Sequence, residues 1–234
     1  MKAGIVRFPG SNCDEDAFRA VADVLGHEAV YCWHKDHDLQ DVDVVVLPGG
    51  FSYGDYLRPG AIARFSPIMR EVVAFAKRGG PVLAICNGFQ IACEAGLLPG
   101  ALLRNESLRF VSAPVHLRVE STGTRFPSAY HLGQVIRVPI AHGDGRYTAD
   151  PDTLARLEGE GHVVFRYVNA GGVPTESSNP NGSVRHIAGI VNHAGNVLGM
   201  MPHPERAMDT ALGSTDGVAL FTSVFESLLA EVGA

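Results

Sequence analysis

The feature that most constrains this chain is a four-residue apolar run, Val82-Leu-Ala-Ile85, that gives way across Cys86-Asn-Gly88 to the helix-forming stretch Gln90-Ile-Ala-Cys-Glu-Ala95. Such a run suits a strand buried on both faces, and the change of period places Cys86 where that strand turns sharply into a helix. A turn so tight needs a small residue just past the cysteine, and Gly88 provides it. The helix then aims free backbone N–H groups and the positive end of its dipole at the sulfur, which favours a reactive thiolate. Cys86 reads as a nucleophile elbow. On this stretch alone, a packing cysteine at a strand end would look the same.

The rest of the chain narrows the context. At 234 residues with no Pro/Ser-rich linker or charge run, one α/β domain spanning 1–234 is expected. The net charge of -6 comes without a basic stripe, so a nucleic-acid partner is not expected. No apolar run reaches the ~20 residues of a membrane span, and the first residues lead into a strand rather than a signal peptide, so neither membrane association nor export is expected. Cysteines at 13, 32, 86 and 93 show no paired spacing. That pattern points to a reduced, cytoplasmic enzyme without a zinc site or a disulfide framework. His34 and His37 lie beside acidic residues but lack a third ligand, and read as a solvated loop with no metal.

Strands are expected at Ala3 to Phe8, Ala29 to Cys32 and Val42 to Leu47, with a helix from Asp14 to Leu25 stopped by Gly26. Ser66 and Pro67 open another helix, as N-cap and first residue, that runs to Gly79. This β-α-β order predicts a doubly wound sheet with ligands beyond the carboxyl ends of its strands. One such end carries Pro48-Gly49-Gly50 and a long aromatic loop to Gly60, where a glycine N–H is a candidate oxyanion donor. After Gly96 the pattern turns antiparallel. Val111 to Glu120, Gln134 to Ile140 and Val163 to Val168 alternate, Ile187 to Asn192 and Val197 to Met201 form a hairpin, and Ser214 opens a final amphipathic helix to about Leu229. These strands are expected to form a smaller section laid against the first half.

The hairpin delivers Met201-Pro202-His203-Pro204-Glu205. Proline disfavours the helical region in the residue before it, so the segment is expected to run nearly straight. His203 and Glu205 then project the same way, as the base and orienter of a triad whose nucleophile would be Cys86. Acyl transfer through a thioester is the chemistry such a trio performs. The N–H groups of Gly50 and Asn87 would stabilise the oxyanion. Cys13, in Pro9-Gly-Ser-Asn-Cys13, has no partner of this type in the sequence and is expected to play a loop or packing part; Cys93 is expected in the core.

Cys86-Asn-Gly-Phe-Gln90 together with His203-Pro-Glu205 resembles a class I (triad) glutamine amidotransferase. Further blocks carry the likeness across essentially the whole chain, among them Phe8-Pro-Gly-Ser-Asn-Cys-Asp14, Pro48 to Gly60, Pro139-Ile-Ala-His-Gly143 and Gly199 to Arg206. The resemblance implies a flavodoxin-like, mostly parallel sheet with flanking helices. It implies glutamine hydrolysis, with ammonia passed to a separate ATP-using synthetase subunit of purine biosynthesis that works with a small accessory subunit. This chain itself would hold no cofactor; ATP and Mg would belong to the synthetase. Cys86, His203 and Glu205 are implied as catalytic, Gly50 and Asn87 as oxyanion donors, and Gln90, His142 and Gly143 as lining the glutamine pocket. A turn histidine reads His142 equally well. Many relatives carry Gly two residues before the nucleophile where this chain has Ala84. The loop around Asp55 and Arg58 is a candidate contact for the synthetase. Another cysteine hydrolase on the same scaffold, such as a γ-glutamyl hydrolase or peptidase, is the rival reading; a noncatalytic binding protein is a third.

Overall fold

A computed structural model describes residues 1–232. Its main feature is one nine-stranded sheet in the order β2-β1-β3-β4-β11-β10-β9-β6-β7. The strands are β1 (Lys2–Arg7), β2 (Glu28–Trp33), β3 (Val44–Leu47), β4 (Val82–Ile85), β6 (Val111–Val119), β7 (Val135–His142), β9 (Val163–Val168), β10 (Ile187–Val191) and β11 (Val197–Met200). A separate two-stranded ribbon pairs β5 (Ala101–Leu103) with β8 (Arg146–Thr148). The first five strands in that order are parallel to one another. From β11 onward every pairing is antiparallel.

The expected antiparallel section is therefore present, but it continues the parallel sheet edge to edge instead of lying against it. The joint is β11, parallel to β4 through Met200 opposite Ile85 and antiparallel to β10 through Gly189 opposite Met200. Strand direction follows from the pairings. β7 and β9 end at the same edge of the sheet as β1, β3, β4 and β11, so loops from both halves converge there.

Residues in β3 and β4 are buried on both faces, as their unbroken apolar runs require. The helices α1 (Asp14–Arg19), α2 (Pro67–Lys77), α3 (Asn87–Glu94), α4 (Pro151–Gly159) and α5 (Val218–Val232) complete the layers. The first expected helix is present but changes character, continuing from α1 as a π-helical turn over Ala20–Val24. Ser66 precedes α2 without capping it; its hydroxyl is 2.8 Å from the Tyr53 hydroxyl instead. The last helix opens at Val218, four residues later than Ser214, after a turn held by the Ser214 hydroxyl. Two elements have no expected counterpart, α4 and the β5–β8 ribbon. Among the described residues no helix is long and apolar enough to cross a membrane.

Candidate active site

Cys86 stands between β4 and α3 with φ 52° and ψ -106°. A non-glycine residue there stores about 1–3 kcal/mol of strain, which persists only where the surroundings impose it. They do so here through backbone contacts. The Cys86 N–H donates to the Met200 carbonyl at 2.8 Å, and its own carbonyl accepts from Gln90 N at 3.2 Å. Gly88 packs so closely under β3 that an added Cβ would lie 2.0 Å from the Leu47 carbonyl oxygen.

β11 ends beside β4, so the chain following it reaches the cysteine directly. Its extended course ends with β11 at Met200: the chain bends at Met201 and Pro202, and Pro204 starts a short 3-10 turn through Arg206, so residues 201–205 do not run straight. Proline restricts the residue before it, whereas its own fixed φ suits the first position of a helical turn. The pairing expected of a straight segment is still achieved. His203 Nδ1 donates to Glu205 Oε1 at 2.6 Å, with both side chains 1 % exposed. Among the described residues the ring's buried Nε2 has no hydrogen-bond partner. Burial, the largest single effect on His203, favours the neutral ring. The charges of Glu205 and Cys86, with the hydrogen-bonding capacity of the Cys13 and Cys86 sulfurs, outweigh it and hold the imidazole pKa well above its usual value.

Cys13, expected to play a loop or packing part, is buried in the loop after β1 and packs against this cluster. A Cβ placed on Gly49 would be 2.7 Å from His203 Cε1, 3.0 Å from Cys13 Sγ and 3.3 Å from Cys86 Cβ, so the three side chains meet around one glycine. Arg206 Nη2 donates to Cys13 Sγ at 3.0 Å and Arg206 Nε to Asp16 Oδ2 at 2.9 Å. Burial pushes the Cys13 thiol pKa up, against the lowering pull of His203 and Arg206. No short-range pattern links Cys13 to residue 203; what the sequence offered was the position of Cys13 just past β1, at the edge where ligands bind.

Gly50 has φ +139° and bridges Ser11, and a Cβ there would be 2.8 Å from Asn12 N. Its N–H and that of Asn87, the first residue of α3, have no backbone acceptor among the described residues. The Asn87 side chain accepts from Ser52 N at 3.1 Å and donates to Gln90 Oε1 at 2.8 Å. Gln90 Nε2 in turn donates to the Asp144 carbonyl at 2.7 Å. Gln90 thus braces the elbow helix to the loop after β7, with both ends of its amide engaged.

The end of β7 and that loop close the other side of the cysteine, with Ala141 O of β7 lying 3.8 Å from Cys86 Sγ. His142 is buried behind it. Asn105 donates from Nδ2 to the carbonyls of Arg109 and His142, which turns its Oδ1 toward His142 Nδ1 at 3.1 Å and Gly145 N at 2.9 Å. Asn181 Nδ2 stands 3.5 Å from His142 Nε2. These partners define a neutral ring carrying its proton on Nδ1, and burial, with the nearby His203 charge, lowers the pKa to about 4. His142 therefore shapes the loop from behind, while the Gly143 carbonyl is held by Asn105 N at 2.8 Å. Asn105 and Asn181, fully buried yet in no expected motif, carry this network. Asp55 is 3.4 Å from Asn87 Nδ2, and burial plus the charge of Asp144 raise its pKa to about 6. His34 is buried against the Tyr53 hydroxyl at 2.6 Å and so belongs to no solvated loop. Cys93 is half-buried at the edge of the core, its Sγ 3.9 Å from the Pro99 carbonyl.

A strained thiol on a strand-to-helix elbow, an imidazole oriented by a carboxylate and two backbone N–H groups without acceptors together equip this edge for nucleophilic attack on an amide or ester carbonyl. Residues 1–217 match the CobB/CobQ-like glutamine amidotransferase domain, and the chain belongs to that family. The phosphoribosylformylglycinamidine synthase subunit PurQ of Salinibacter ruber is 60 % identical over 229 residues, covering 98 % of this chain and 96 % of that one. Its counterpart in Chlorobaculum tepidum is 60 % identical over 228 residues, covering 97 % of both. The solved structure of PurLQS from Thermotoga maritima superposes with a TM-score of 0.86 at 45 % identity, covering 97 % of this chain and 98 % of the matched one.

Proposed function

We propose that this chain is the glutaminase subunit of phosphoribosylformylglycinamidine synthase, hydrolysing glutamine to glutamate and supplying ammonia for purine biosynthesis. Full-length identity to PurQ subunits supports the assignment. The observation that carries the chemistry is the buried 2.6 Å contact between His203 and Glu205 beside the Cys86 elbow.

In this reading Cys86 attacks the glutamine side-chain amide. His203 protonates the leaving ammonia and then activates water to release glutamate from the thioester. Glu205 keeps the ring in the orientation that directs Nε2 to the reacting atoms. The N–H groups of Gly50 and Asn87 receive the developing oxyanion, where losing one donor typically costs ~3 kcal/mol of barrier. Gln90, His142 and Gly143 shape the glutamine pocket, the first two through the braces described above.

The partners are the synthetase subunit and its small accessory subunit, as the name of the PurLQS structure suggests. ATP and Mg are used by the synthetase. This chain holds no cofactor for the reaction, in keeping with the absence of a phosphate-cradling GxxxxGK[ST] segment from its sequence. The loop with Asp55 and Arg58 is the proposed contact. Arg58 is tied back to Glu94 at 2.6 and 2.7 Å, which leaves Tyr56 and Leu57, 74 % and 90 % exposed, as the projecting surface. A reducing cytoplasm suits the four free cysteines. Glutaminase rates of wild type and Cys86→Ala, with and without the synthetase, test the assignment. Glutamine turnover that rises with the synthetase and vanishes in the variant is expected. Cleavage of peptides in preference to glutamine would overturn it in favour of the hydrolase reading.

A further inference from the structure

At the opposite edge of the sheet lies a second group of side chains that the amidotransferase chemistry does not use. Glu160 follows α4, His162 precedes β9, and His193 sits in the turn between β10 and β11. That turn is far from the elbow, because Asn196 within it accepts from Val82 N, at the start of the strand that ends at Cys86. Glu160 Oε2 is 3.2 Å from His162 Nδ1 and 3.2 Å from His193 Nδ1. The two rings stand 5.7 Å apart at 85°. All three residues line one groove of about 790 Å³, whose floor includes Leu97, Leu157 and Val191.

Two imidazole nitrogens and one carboxylate oxygen form a donor set suited to borderline divalent ions. With metal–ligand bonds near 2.0–2.1 Å, donor atoms sit about 2.9 Å apart in an octahedral shell and about 3.3 Å apart in a tetrahedral one. The observed 3.2 Å separations lie between these. All three donor atoms lie within 4.8 Å of one another, so rotation of the side chains, His193 being exposed, can bring them onto one ion. The backbone under both histidines is held in place. His162 N donates to Leu157 O at 2.8 Å and its carbonyl accepts from Val191 N at 2.9 Å. The turn carrying His193 is tied by Asn192 Oδ1 to the N–H groups of Asn196 and Val197, both at 3.0 Å. The Glu160 carboxylate also offsets part of a dication's charge, which a lone pair of histidines would not.

We propose that Glu160, His162 and His193 form a binding site for one divalent transition-metal ion of the Zn²⁺, Co²⁺ or Ni²⁺ class, joining the end of α4 to the β10–β11 turn. Bound metal then stabilises the antiparallel strands from the edge remote from catalysis. The test is calorimetric titration of the full chain with Zn²⁺, alongside His162→Ala/His193→Ala and Glu160→Gln, with thermal unfolding in parallel. Since Cys13, His203 and Glu205 also group donor atoms that can take a metal ion, the informative quantity is the difference between chains. Wild type should take up one equivalent more than the double variant, Glu160→Gln should weaken that equivalent at least about tenfold, and the Zn²⁺-dependent rise in Tm should be lost in the double variant. Circular dichroism shows that the variants fold, as substitution at these exposed or partly exposed positions should allow. Equal equivalents in wild type and double variant, or a Tm response to Mg²⁺ matching that to Zn²⁺, would overturn the proposal.

Discussion

The two halves of the sheet contribute to the candidate active site in different currencies. The parallel half works through backbone: a strained Cys86, glycines at 49, 50 and 88 where no side chain fits, and N–H groups without acceptors. The antiparallel half works through side chains, with Asn105, Asn181 and His142 holding the loop after β7 against the elbow helix. β11, which belongs to both, delivers His203 and Glu205 between them. Backbone devices fix the reacting geometry itself, whereas the polar braces position the wall opposite it. Damage on the two sides should therefore differ in kind.

The sharpest contrast comes at the joint. Cys86→Ala should remove glutaminase activity by at least roughly 10⁴-fold while leaving Tm nearly unchanged. Glu205→Gln should lower kcat by about 10²–10⁴-fold and shift the pH–rate profile, since the carboxylate no longer favours the charged ring; an unchanged profile would remove Glu205 from its assigned role. On the parallel side, Gly88→Ala forces a Cβ onto the Leu47 carbonyl. It should cost about 3 kcal/mol in chemical unfolding and reduce kcat with it. On the antiparallel side, Asn105→Ala leaves the buried Gly145 N–H and the His142 ring without their acceptor. About 2 kcal/mol should be lost, with KM rising more than kcat falls; a loss confined to kcat would break the comparison.

The smallest expected effect is a pH dependence at Asp55. Its pKa is raised to about 6, so the folded state holds a proton that the unfolded chain gives up near 4, and this contribution to stability is lost as pH rises through about 6. Asp55→Asn should therefore raise Tm at pH 8 and change it little at pH 4. His142 acts in the opposite sense, because its lowered pKa makes stability fall as the pH drops from about 6.5 toward 4.

The outline of the fold was legible because β3, β4, α2 and α3 follow from local patterns: unbroken apolar runs for the strands, Ser66-Pro67 at the start of α2, and the change of period past Cys86 for α3. The elements missed had different causes. β5 and β8 have three residues each and owe their existence to one another, while α4 carries a clear start, with Asp150 as N-cap and Pro151 at its first position, but is short and mostly polar, burying only Thr153, Leu154 and Leu157. Within the site, the meeting of His203 with Glu205 could be anticipated because a single residue, Pro204, separates them. Cys13 could not be placed in the same way. Its neighbours His203 and Arg206 lie at the far end of the chain and reach it only because β1, β3, β4 and β11 share an edge.

By itself, the sequence determined the elbow at Cys86, the histidine–glutamate pair, the parallel core and the family, because each depends on residues a few positions apart or on whole blocks of matching order. Tertiary structure alone decided that β11 joins the two halves of the sheet, that Cys13 flanks the His203 imidazole, that Gln90 and Asn105 act as braces, and that Glu160, His162 and His193 converge. Those arrangements depend on strand order and direction, which short-range propensity leaves open and the burial of a shared core selects.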